Sequence, residues 1–387
     1  MTARGRGRGA LAGLCLVEFL SWGVLYYTLP IAATRITGAT SWPAPVVPAV
    51  YTVSLLCAAA CGPWAGRLTD RYGPRAVIAA GAAAGAAAMG LSAATPHLPV
   101  FVLAWMLAGA AQACTLYPVA FAAATQWFGT SRAWPLTVIT LAGGVSSTVF
   151  APVTAALVDS LGWRAAVAVL AAGYGPVATG TALALLTPRW ERPRRTGAEH
   201  EEHVNGIARS REFRDTRLAL ALAAAGLYAV TLNMMPLLEE LGFGYAQAAA
   251  VFGLVGAGQL LGRLVFLPLS GRGTPRSRTV AQVTATALAL GLVTAVSAPA
   301  ALVAAAAVLA GAVRGSHTLS TATAVSDRWG RDSYATVFGR FNLLIAVAAA
   351  LGPALGALVA EGLGSYRATA LVFTATALAA VAVARRT

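Results

Sequence analysis

Apolar runs long enough to cross a lipid bilayer recur along the whole chain. A helix needs about 20 apolar residues to span the hydrocarbon core, and runs of this length are separated here only by short clusters of charged residues, glycine or proline. We count about twelve such runs. We therefore expect an all-α membrane protein with spans at Ala10–Ala33, Ala44–Ala65, Ala76–Ala94, Leu98–Ala124, Trp134–Val158, Trp163–Thr187, Leu218–Leu238, Tyr245–Leu269, Thr279–Ser297, Ala300–Ala324, Tyr334–Ala360 and Tyr366–Ala384.

Composition argues against the other large classes of protein. Hydrophobic residues make up 58% of the chain and charged residues only 11%, whereas a soluble domain carries about 25% charged residues. The net charge of +14 would suit nucleic acid, but the chain has no lysine and its arginines fall almost entirely in the short gaps between apolar runs. That distribution is typical of membrane topology, so we expect a lipid bilayer and no nucleic acid as partner.

The sequence predicts no metal site and no cofactor. Its four cysteines lie inside apolar runs without partners at metal-ligand spacing, and we interpret them as small packing residues. No nucleophile–base pair, phosphate-binding glycine loop or Walker-type motif occurs. The sequence therefore gives poor support to a membrane enzyme or a receptor. It also gives poor support to a protein that is powered directly by ATP hydrolysis. The cysteines are Cys15, Cys57, Cys61 and Cys114.

The arginines also predict an orientation. Counting loops alternately places only Arg35, Arg164 and Arg367 on one side, and the remaining loop arginines, with the tail Arg385-Arg386, on the other. The arginine-rich side is cytoplasmic by the positive-inside rule, which places both termini in the cytoplasm and the chain in the inner (plasma) membrane. The first run follows a basic start that imitates a signal peptide, but it is too long for a secretory core, so we expect an uncleaved span.

An internal repeat divides the chain into two halves. Ala151-Pro152 matches Gly352-Pro353, and Pro74-Arg75 matches Pro275-Arg276, both at an offset of 201 (353 minus 152). Such matches describe parallel halves related by an axis along the membrane normal. We predict six-helix bundles at 1–187 and 218–387. The hydrophilic segment 188–217 reads as a cytoplasmic linker, a solvated tether with a surface helix; a partner-binding role is the alternative.

The polar gap after the second run has a distinctive pattern, Gly66-Arg67-Leu68-Thr69-Asp70-Arg71-Tyr72-Gly73-Pro74-Arg75. Gly66 lets two helices approach closely, Gly73 and Pro74 end a helix and turn the chain, and Asp70 is left to hydrogen-bond a neighbouring helix end. An ordinary positive-inside turn is the alternative interpretation, although a turn needs only arginines and a glycine.

This gap resembles the signature loop of the major facilitator superfamily, in which a glycine, an aspartate, a basic residue and a second glycine recur at this spacing. The resemblance covers essentially the whole chain. It implies about twelve transmembrane helices in two six-helix pseudo-symmetric bundles, and secondary active transport in which the two halves rock about a central site. It also implies a cytoplasmic gate formed by Gly66, Asp70, Arg71, Gly73 and Arg75.

Two arginines fall inside predicted spans of the second half. In the repeat, Arg263 corresponds to Gly62 and, with a one-residue gap, Arg314 corresponds to Gln112. A mid-membrane arginine costs at least about 2.5 kcal/mol and cannot lose its proton, so it suits a fixed anchor for a carboxylate or other anion. A structural ion pair or a snorkelling side chain is the alternative.

Glu18 is the carboxylate that lies within a predicted span away from its ends. Desolvation there makes the carboxylate a candidate to take up and release a proton during transport. A static hydrogen bond, or an ion pair with an arginine across the cavity, is the alternative. Glu239 is a second candidate for proton coupling, although a solvated helix end is the simpler interpretation for Glu239 and Glu240.

Further polar and aromatic residues within the spans are candidates to line a substrate cavity. Most such residues in a helical bundle only pack, which is the competing interpretation for each of them. His317 lies one turn from Arg314 and is a possible second titrating group. The predicted substrate-binding residues, besides the two arginines, are Tyr26, Tyr27, Gln112, Tyr117, Asn233, His317 and Asn342.

A finer resemblance is to bacterial relatives of the monocarboxylate-transporter branch. It is carried by Ser21-Trp22-Gly23-Val24-Leu25-Tyr26-Tyr27, Gln126-Trp127-Phe128-Gly129, Gly162-Trp163-Arg164 and Asp327-Arg328-Trp329-Gly330. It implies proton-coupled symport of a small, monocarboxylate-like organic anion, with Arg263 where carriers of this branch hold a substrate anchor. Proton-driven efflux of a drug-like or natural-product metabolite is the alternative, although Ala151-Pro152 lacks most glycines of the exporters' helix-five motif. The oligomeric state is left open.

Overall fold

A computed structural model describes residues 3–40, 42–43, 46–192 and 197–387. Ala44, where the second span was predicted to start, lies outside the described residues, as do residues 193–196 of the predicted linker.

Regular structure in the described ranges is helical. The helices are α1 (Ala3–Ser21), continued by a π-helical turn (Trp22–Tyr27), α2 (Thr28–Ala39), α3 (Val46–Tyr72), α4 (Pro74–Ala94), α5 (Leu98–Thr115), α6 (Tyr117–Phe128), α7 (Ala133–Leu161), α8 (Trp163–Leu185), α9 (Ala198–Arg209), α10 (Arg211–Leu232), α11 (Met234–Glu240), α12 (Tyr245–Leu269), α13 (Pro275–Ala295), α14 (Ala300–Trp329), α15 (Tyr334–Leu363) and α16 (Tyr366–Ala384).

The prediction of twelve membrane spans is confirmed. Among the described residues, twelve helical stretches are long and apolar enough to cross a membrane. Two of them join consecutive elements, from Gly7 to Ala33 and from Leu98 to Ser131. The seventh predicted span, Leu218–Leu238, was placed too late: α10 starts at Arg211 and ends at Leu232. Pro236 explains the early end, because its missing N–H cannot continue the α10 hydrogen-bond ladder to Leu232.

The chain divides into two compact units. The first contains Met1–Glu201 and Arg331–Arg340, and the second contains Glu202–Gly330 and Phe341–Thr387. The bundle limits 1–187 and 218–387, with the linker between them, stay a prediction. Within the first unit α3 packs on α5 and α4 packs on α5 and α8; within the second, α12 packs on α14 and α13 packs on α14 and α16. The same packing pattern therefore occurs in both units, as the sequence repeat predicts.

Glycines allow the α12–α14 pair of the second unit to approach at backbone distance. A Cβ atom on Gly262 would lie 1.8 Å from the carbonyl oxygen of Ala312, and one on Gly258 would lie 2.2 Å from that of Val308. From the opposite helix, Gly311 and Gly315 meet carbonyl oxygens of α12 at 2.1 Å. Small residues spaced four apart on both helices are a common way to pack helices where no hydrophobic effect acts between them.

The three arginines that the sequence placed on the arginine-poor side all have structural partners. Arg35 forms an exposed ion pair with Asp159 at 2.7 Å. Arg164, the second residue of α8, donates to carbonyl oxygens at the end of α4, including that of Ala93 at 2.9 Å. Arg367, the second residue of α16, donates to the carbonyl oxygen of Thr294 near the end of α13 at 3.0 Å. Each of these arginines bonds a carboxylate or backbone carbonyl oxygens. These bonds are a physical reason for an arginine to lie on the side where the positive-inside rule predicts few arginines.

We expect Gly262→Ala to destabilise the protein by about 1–3 kcal/mol, because the added methyl group meets backbone that cannot move away. Gly256→Ala on the same helix is the matched control, since a Cβ there meets nothing within 4 Å and alanine favours the helix by up to about 1 kcal/mol. Thermal unfolding in detergent measures both. Equal melting temperatures for the two variants would contradict the close-packing interpretation.

Candidate functional site

A π-helical turn at the middle of the first span positions the aromatic residues of the first unit. Trp22–Tyr27 follows the i→i+5 hydrogen-bond pattern, whereas the flanking residues are α-helical. In this wider turn, residues four and five positions apart flank the same line along the helix. Trp22, Tyr26 and Tyr27 therefore share one side, with ring centroids 4.5 Å apart for Trp22–Tyr26 and 5.0 Å apart for Tyr26–Tyr27.

Two tyrosines from other helices complete this surface, which we call the aromatic face: Trp22, Tyr26, Tyr27, Tyr51 and Tyr117. The Trp22–Tyr117 centroids are 5.0 Å apart and the Tyr26–Tyr51 centroids 5.6 Å apart. All five side chains are half-buried. Gly143 on α7 makes room for them, because a Cβ at that position would lie 2.5 Å from the Tyr117 hydroxyl and 2.8 Å from the Trp22 ring.

Glu18 lies directly beneath the aromatic face. Its side chain is fully buried at 0% exposure, and its Oε2 accepts a hydrogen bond of 2.9 Å from the indole Nε1 of Trp22. Its Oε1 is buried without a hydrogen-bond partner, and no described residue forms an ion pair with it. The predicted alternative of an ion pair with an arginine is therefore not seen among the described residues. A change in protonation of Glu18 would act directly on its bond to Trp22.

Gln112 bonds the backbone of the π-helical turn that carries the aromatic face. It is buried, and its Nε2 donates to the carbonyl oxygen of Leu25 at 3.0 Å and to Ser54 Oγ at 3.5 Å. These donors are thus committed to holding the π-helical turn, and the predicted contact of Gln112 with substrate stays a prediction. Tyr117, by contrast, is half-buried and donates to the carbonyl oxygen of Thr140 at 3.3 Å.

In the second unit, Arg314 lies at the middle of the span Ala300–Trp329 and is half-buried. Its guanidinium carbon is 4.3 Å from the ring centroid of Tyr228, and its Nη1 donates to Thr231 Oγ1 at 3.1 Å. It forms no ion pair with any residue that the structure describes, and its Nε is without a hydrogen bond. Because Nε is buried, the donors that a ligand could reach are the terminal N–H groups that do not bond Thr231.

The two units place different charges at equivalent positions. Tyr27 and Tyr228 are related by the repeat offset of 201 (228 minus 27), and Gln112 corresponds to Arg314. Gln112 contacts the backbone of the first span, while Arg314 contacts Tyr228 and Thr231 of α10. The second unit thus carries a permanent cation where the first carries a neutral amide.

The remaining predicted substrate residues differ in accessibility. Arg263 is only 6% exposed, so Arg314 is the more accessible arginine. His317 is buried, and neither ring nitrogen has a hydrogen bond in the described structure. Asn233 donates from Nδ2 to the carbonyl oxygens of Ala229 and Pro353, which commits its amide to α10 and α15. Asn342 is half-buried.

The two acidic residues at the end of α11 are exposed. The role of Glu239 in proton coupling stays a prediction. Glu240 is not simply a solvated helix end, as was predicted. Its carboxylate accepts hydrogen bonds of 2.5 Å from the hydroxyl of Ser365 and the backbone N–H of Tyr366, at the start of α16.

The charged gap between the second and third spans is mostly helical, which corrects the predicted turn. Helix α3 continues through Asp70 to Tyr72, and α4 starts at Pro74. Gly73 alone turns the chain, with φ of 83°, a left-handed conformation that favours glycine. Arg71 and Arg75 are exposed beside it.

Gly66 and Asp70 lie one turn apart and face the first turn of α15 within the first unit. Asp70 Oδ2 accepts a hydrogen bond of 2.9 Å from the backbone N–H of Thr336. A Cβ on Gly66 would lie 2.3 Å from the carbonyl oxygen of Ala335, so only glycine permits this approach. The expectation that Asp70 bonds a neighbouring helix end is thereby confirmed, and the reason is that the start of a helix presents unpaired N–H groups.

Trp190 is a residue of this region that the sequence interpretation missed. Its Nε1 donates to the Asp70 carbonyl oxygen at 3.2 Å, and its side chain lies against Gly73. The next residue, Glu191, exchanges two hydrogen bonds between its backbone and the side-chain amide of Gln126. The start of the predicted tether is therefore packed. A tryptophan in an otherwise hydrophilic segment was the available signal.

A comparison with protein families shows which family the chain belongs to. The sequence matches the family profile described as Major Facilitator Superfamily over residues 11–343. No curated protein sequence matches the chain.

Solved transporters share the fold. A variant of the E. coli fucose:proton symporter FucP is similar with a TM-score of 0.76 and 16% identity, covering 97% of this chain and 98% of that one. FucP in the outward conformation gives 0.75 and 15%, with coverage of 97% and 98%. The human organic anion transporter MFSD10 (TETRAN) gives 0.71 and 16%, with coverage of 97% and 99%.

We expect Asp70→Ala to lower stability by about 1–2 kcal/mol, because it leaves the buried N–H of Thr336 without its acceptor. Asp70→Asn keeps an acceptor oxygen and should lose less. Asp159→Ala is the control, since it removes only one partner of an exposed ion pair, which is worth about 0–1 kcal/mol. Thermal unfolding of the three variants in detergent tests the order. A loss for Asp159→Ala as large as that for Asp70→Ala would contradict the assignment.

Proposed function

The chain belongs to the major facilitator superfamily, and on that basis we propose that it transports a small organic anion together with protons by alternating access. It is a multi-pass membrane transporter and not an enzyme. The observation that carries the proposed substrate class is the half-buried guanidinium of Arg314 at the middle of its span, with which no described residue forms an ion pair.

The energetics of Arg314 favour an anionic ligand. An arginine at mid-membrane costs at least about 2.5 kcal/mol, and no carboxylate of the described chain offsets that cost. Its position over Tyr228 recovers about 0.5–2 kcal/mol as a cation–π interaction, and the bond to Thr231 adds a further part. The remaining planar donors match a carboxylate, which accepts two parallel N–H bonds.

The finer assignment to monocarboxylate-like anions rests on sequence resemblance. The structurally similar MFSD10 is described as an organic anion transporter, which supports an anion without specifying which. Arg263 serves as a second, more buried cation on α12. His317 and Asn342 supply additional polar groups of the second unit.

Glu18 is the proposed proton site. Its carboxylate is fully buried, has one oxygen without a hydrogen bond, and is joined through the other to Trp22 of the aromatic face. Protonation turns the Glu18 carboxylate from a group that only accepts hydrogen bonds into one that can also donate one. The change alters its bond to Trp22, and Trp22 contacts the other rings of the aromatic face, which a substrate can reach. The similar FucP is described as a proton symporter, which supports coupling of this kind.

Gly66, Asp70, Arg71, Gly73 and Arg75 form the proposed cytoplasmic gate. The bond from Asp70 to the first turn of α15 would exist in one transport state and open in the other. Both termini then lie in the cytoplasm and the chain lies in the inner (plasma) membrane. The structural roles of Arg35, Arg164 and Arg367 support this orientation, because each has a local reason to lie on the arginine-poor side.

Efflux of a drug-like metabolite is the second candidate, and the aromatic face is the observation that favours it. Five half-buried aromatic rings offer a broad apolar surface of the kind that binds hydrophobic molecules. Transport of neutral or cationic compounds that does not depend on Arg314 would identify this function.

We expect Arg314→Ala to reduce uptake of organic acids into proteoliposomes at least about tenfold, because a hydrogen bond to a charged group contributes about 1.5–3 kcal/mol. The assay measures a panel of labelled organic acids, with protein-free liposomes as the blank for passive permeation. Arg35→Ala is the matched control, as its exposed ion pair lies outside the proposed site. Undiminished carboxylate uptake by Arg314→Ala would contradict the anchor.

We expect Glu18→Gln to abolish stimulation of uptake by an inward proton gradient while substrate exchange at equal pH continues. Glutamine keeps an acceptor for Trp22 but cannot carry the proton. Glu361→Gln, which changes an exposed carboxylate, should retain the stimulation. If Glu18→Gln still responds to the gradient, the proton is carried elsewhere.

A further inference from the structure

A groove lies on the exposed side of α13 in the second unit. It has a volume of about 570 Å³. The opposite side of α13 packs into the unit, where Gln282 donates to the carbonyl oxygen of Val313 on α14. Because α13 is a membrane span and Leu288 in the groove is 67% exposed, the groove faces lipid. Its lining residues are Thr274, Arg276, Ser277, Val280, Ala281, Thr284, Ala285 and Leu288.

The groove has the length of one bilayer leaflet. From Thr274 to Leu288 the helix rises about 21 Å, at about 1.5 Å for each residue. A bilayer with its headgroups is about 40–45 Å thick, so one leaflet measures about 20–22 Å. The span begins at Pro275, which places the Thr274 end of the groove in the headgroup region. The groove therefore extends over the depth that one lipid molecule occupies.

The lining changes from polar to apolar along this length. Arg276 and Ser277 lie at the headgroup end, and Leu288 lies at the deep end. Between them, Ala281 and Ala285 are small side chains one helical turn apart. An acyl chain that lies over these two alanines gains dispersion contacts that an empty depression lacks.

The headgroup end carries cations and no acids. Arg276 is exposed, and its Nη2 donates to the carbonyl oxygen of Arg385 at the end of α16, so that the exposed Arg385 and Arg386 lie nearby. Neither 270–288 nor 366–387 contains an aspartate or glutamate. No described carboxylate forms an ion pair with Arg276. This charge attracts a phosphate and repels the ammonium group of a zwitterionic headgroup.

A nearby arginine has a different, structural role. Arg278 lies two residues after Arg276, is half-buried and pairs with Asp327 of α14 at 3.1 Å. It also donates to the carbonyl oxygen of Ser270. Arg278 therefore holds helix ends of the second unit together, whereas Arg276 presents its charge at the surface.

The first unit provides an internal comparison. Arg75 on α4 corresponds to Arg276 by the repeat offset of 201 (276 minus 75) and is exposed as well. The α4 positions that correspond to the rest of the helical groove, namely 76, 79, 80, 83, 84 and 87, are all alanine. They include no counterpart of the larger side chains Val280 and Leu288. The first unit thus offers an arginine at the same place without the same lining.

We propose that this groove binds an anionic phospholipid, with the phosphate at Arg276 and an acyl chain along Ala281 and Ala285. The headgroup lies beside the end of α16, so the lipid contacts both α13 and α16. Because it binds the folded second unit, it stabilises that unit by mass action. The site is separate from Arg314 and needs no transported substrate.

Native mass spectrometry of the purified full-length protein in detergent tests the proposal. The protein is titrated with phosphatidylglycerol and with phosphatidylcholine that has the same acyl chains. We expect the first phosphatidylglycerol to bind about tenfold more tightly to the wild-type protein, because only its headgroup carries a net negative charge. Arg276→Gln should bring the two affinities within about twofold, although glutamine keeps an N–H donor for the Arg385 carbonyl oxygen.

Arg75→Gln is the matched control. It removes one positive charge at the corresponding place in the first unit and should retain the tenfold preference. Ala285→Phe fills the groove and should weaken binding of both lipids at least about fivefold, because the acyl chain loses its place. On the unmodified protein, millimolar glycerol phosphate should not displace phosphatidylglycerol, since it lacks the chain. This last comparison needs no variant that has to fold.

Four outcomes would overturn the proposal. Equal affinities for the two lipids in the wild-type protein would show that the site does not select charge. An equal loss of preference in Arg276→Gln and Arg75→Gln would indicate attraction by overall charge. Displacement by glycerol phosphate would identify a site for soluble anions. A dimer that releases lipid as it forms would identify the groove as an interface with a second copy.

Discussion

Every polar group inside a bilayer must find a partner within the protein, and this constraint underlies the whole structure. Backbone groups satisfy it by forming helices, and hydroxyl groups satisfy it by bonding back to the preceding turn, as Thr69 does to Ala65 and Thr115 to Ala111. Glycines at 258, 262, 311 and 315 then let helices approach at backbone distance. Against this background, Glu18 and Arg314 stand out because their charges have no ionic partner among the described residues.

Trp22 connects the two chemical features of the first unit. Its indole N–H bonds the buried carboxylate of Glu18, while its ring contacts Tyr26 and Tyr117. Under the proposed function, a substrate that displaces Trp22 also disturbs the proton site, and a proton that arrives at Glu18 alters the substrate surface. Substrate and proton are then coupled through the Trp22 side chain, because the binding of either one changes the position or hydrogen bonding of Trp22 that the other encounters.

Several features could be predicted because they depend on local pattern alone. Apolar run length predicts the spans, and Gly73 predicts the residue at which the chain turns. The residue type at Asp70 predicts a bond to a helix end but not which helix supplies it. Other features depend on distant contacts. Arg263 and Arg314 look alike as sequence, yet their accessibility differs because the surrounding helices cover one more than the other. Packing of Trp190 against the α3–α4 connection also lay beyond local pattern.

The sequence by itself determined that the chain is a twelve-span helical membrane protein with an internal repeat, because bilayer thickness sets the length of each apolar run. Only the tertiary structure decided the π-helical turn at Trp22–Tyr27, the aromatic face that this turn builds, and the bond between Trp22 and Glu18. The rings of the aromatic face come from separate helices, and local hydrophobic periodicity contains no information about which distant rings meet. The bond between Glu18 and Trp22 joins residues four apart on one helix, and periodicity does not predict it either, because both residues lie in one apolar run.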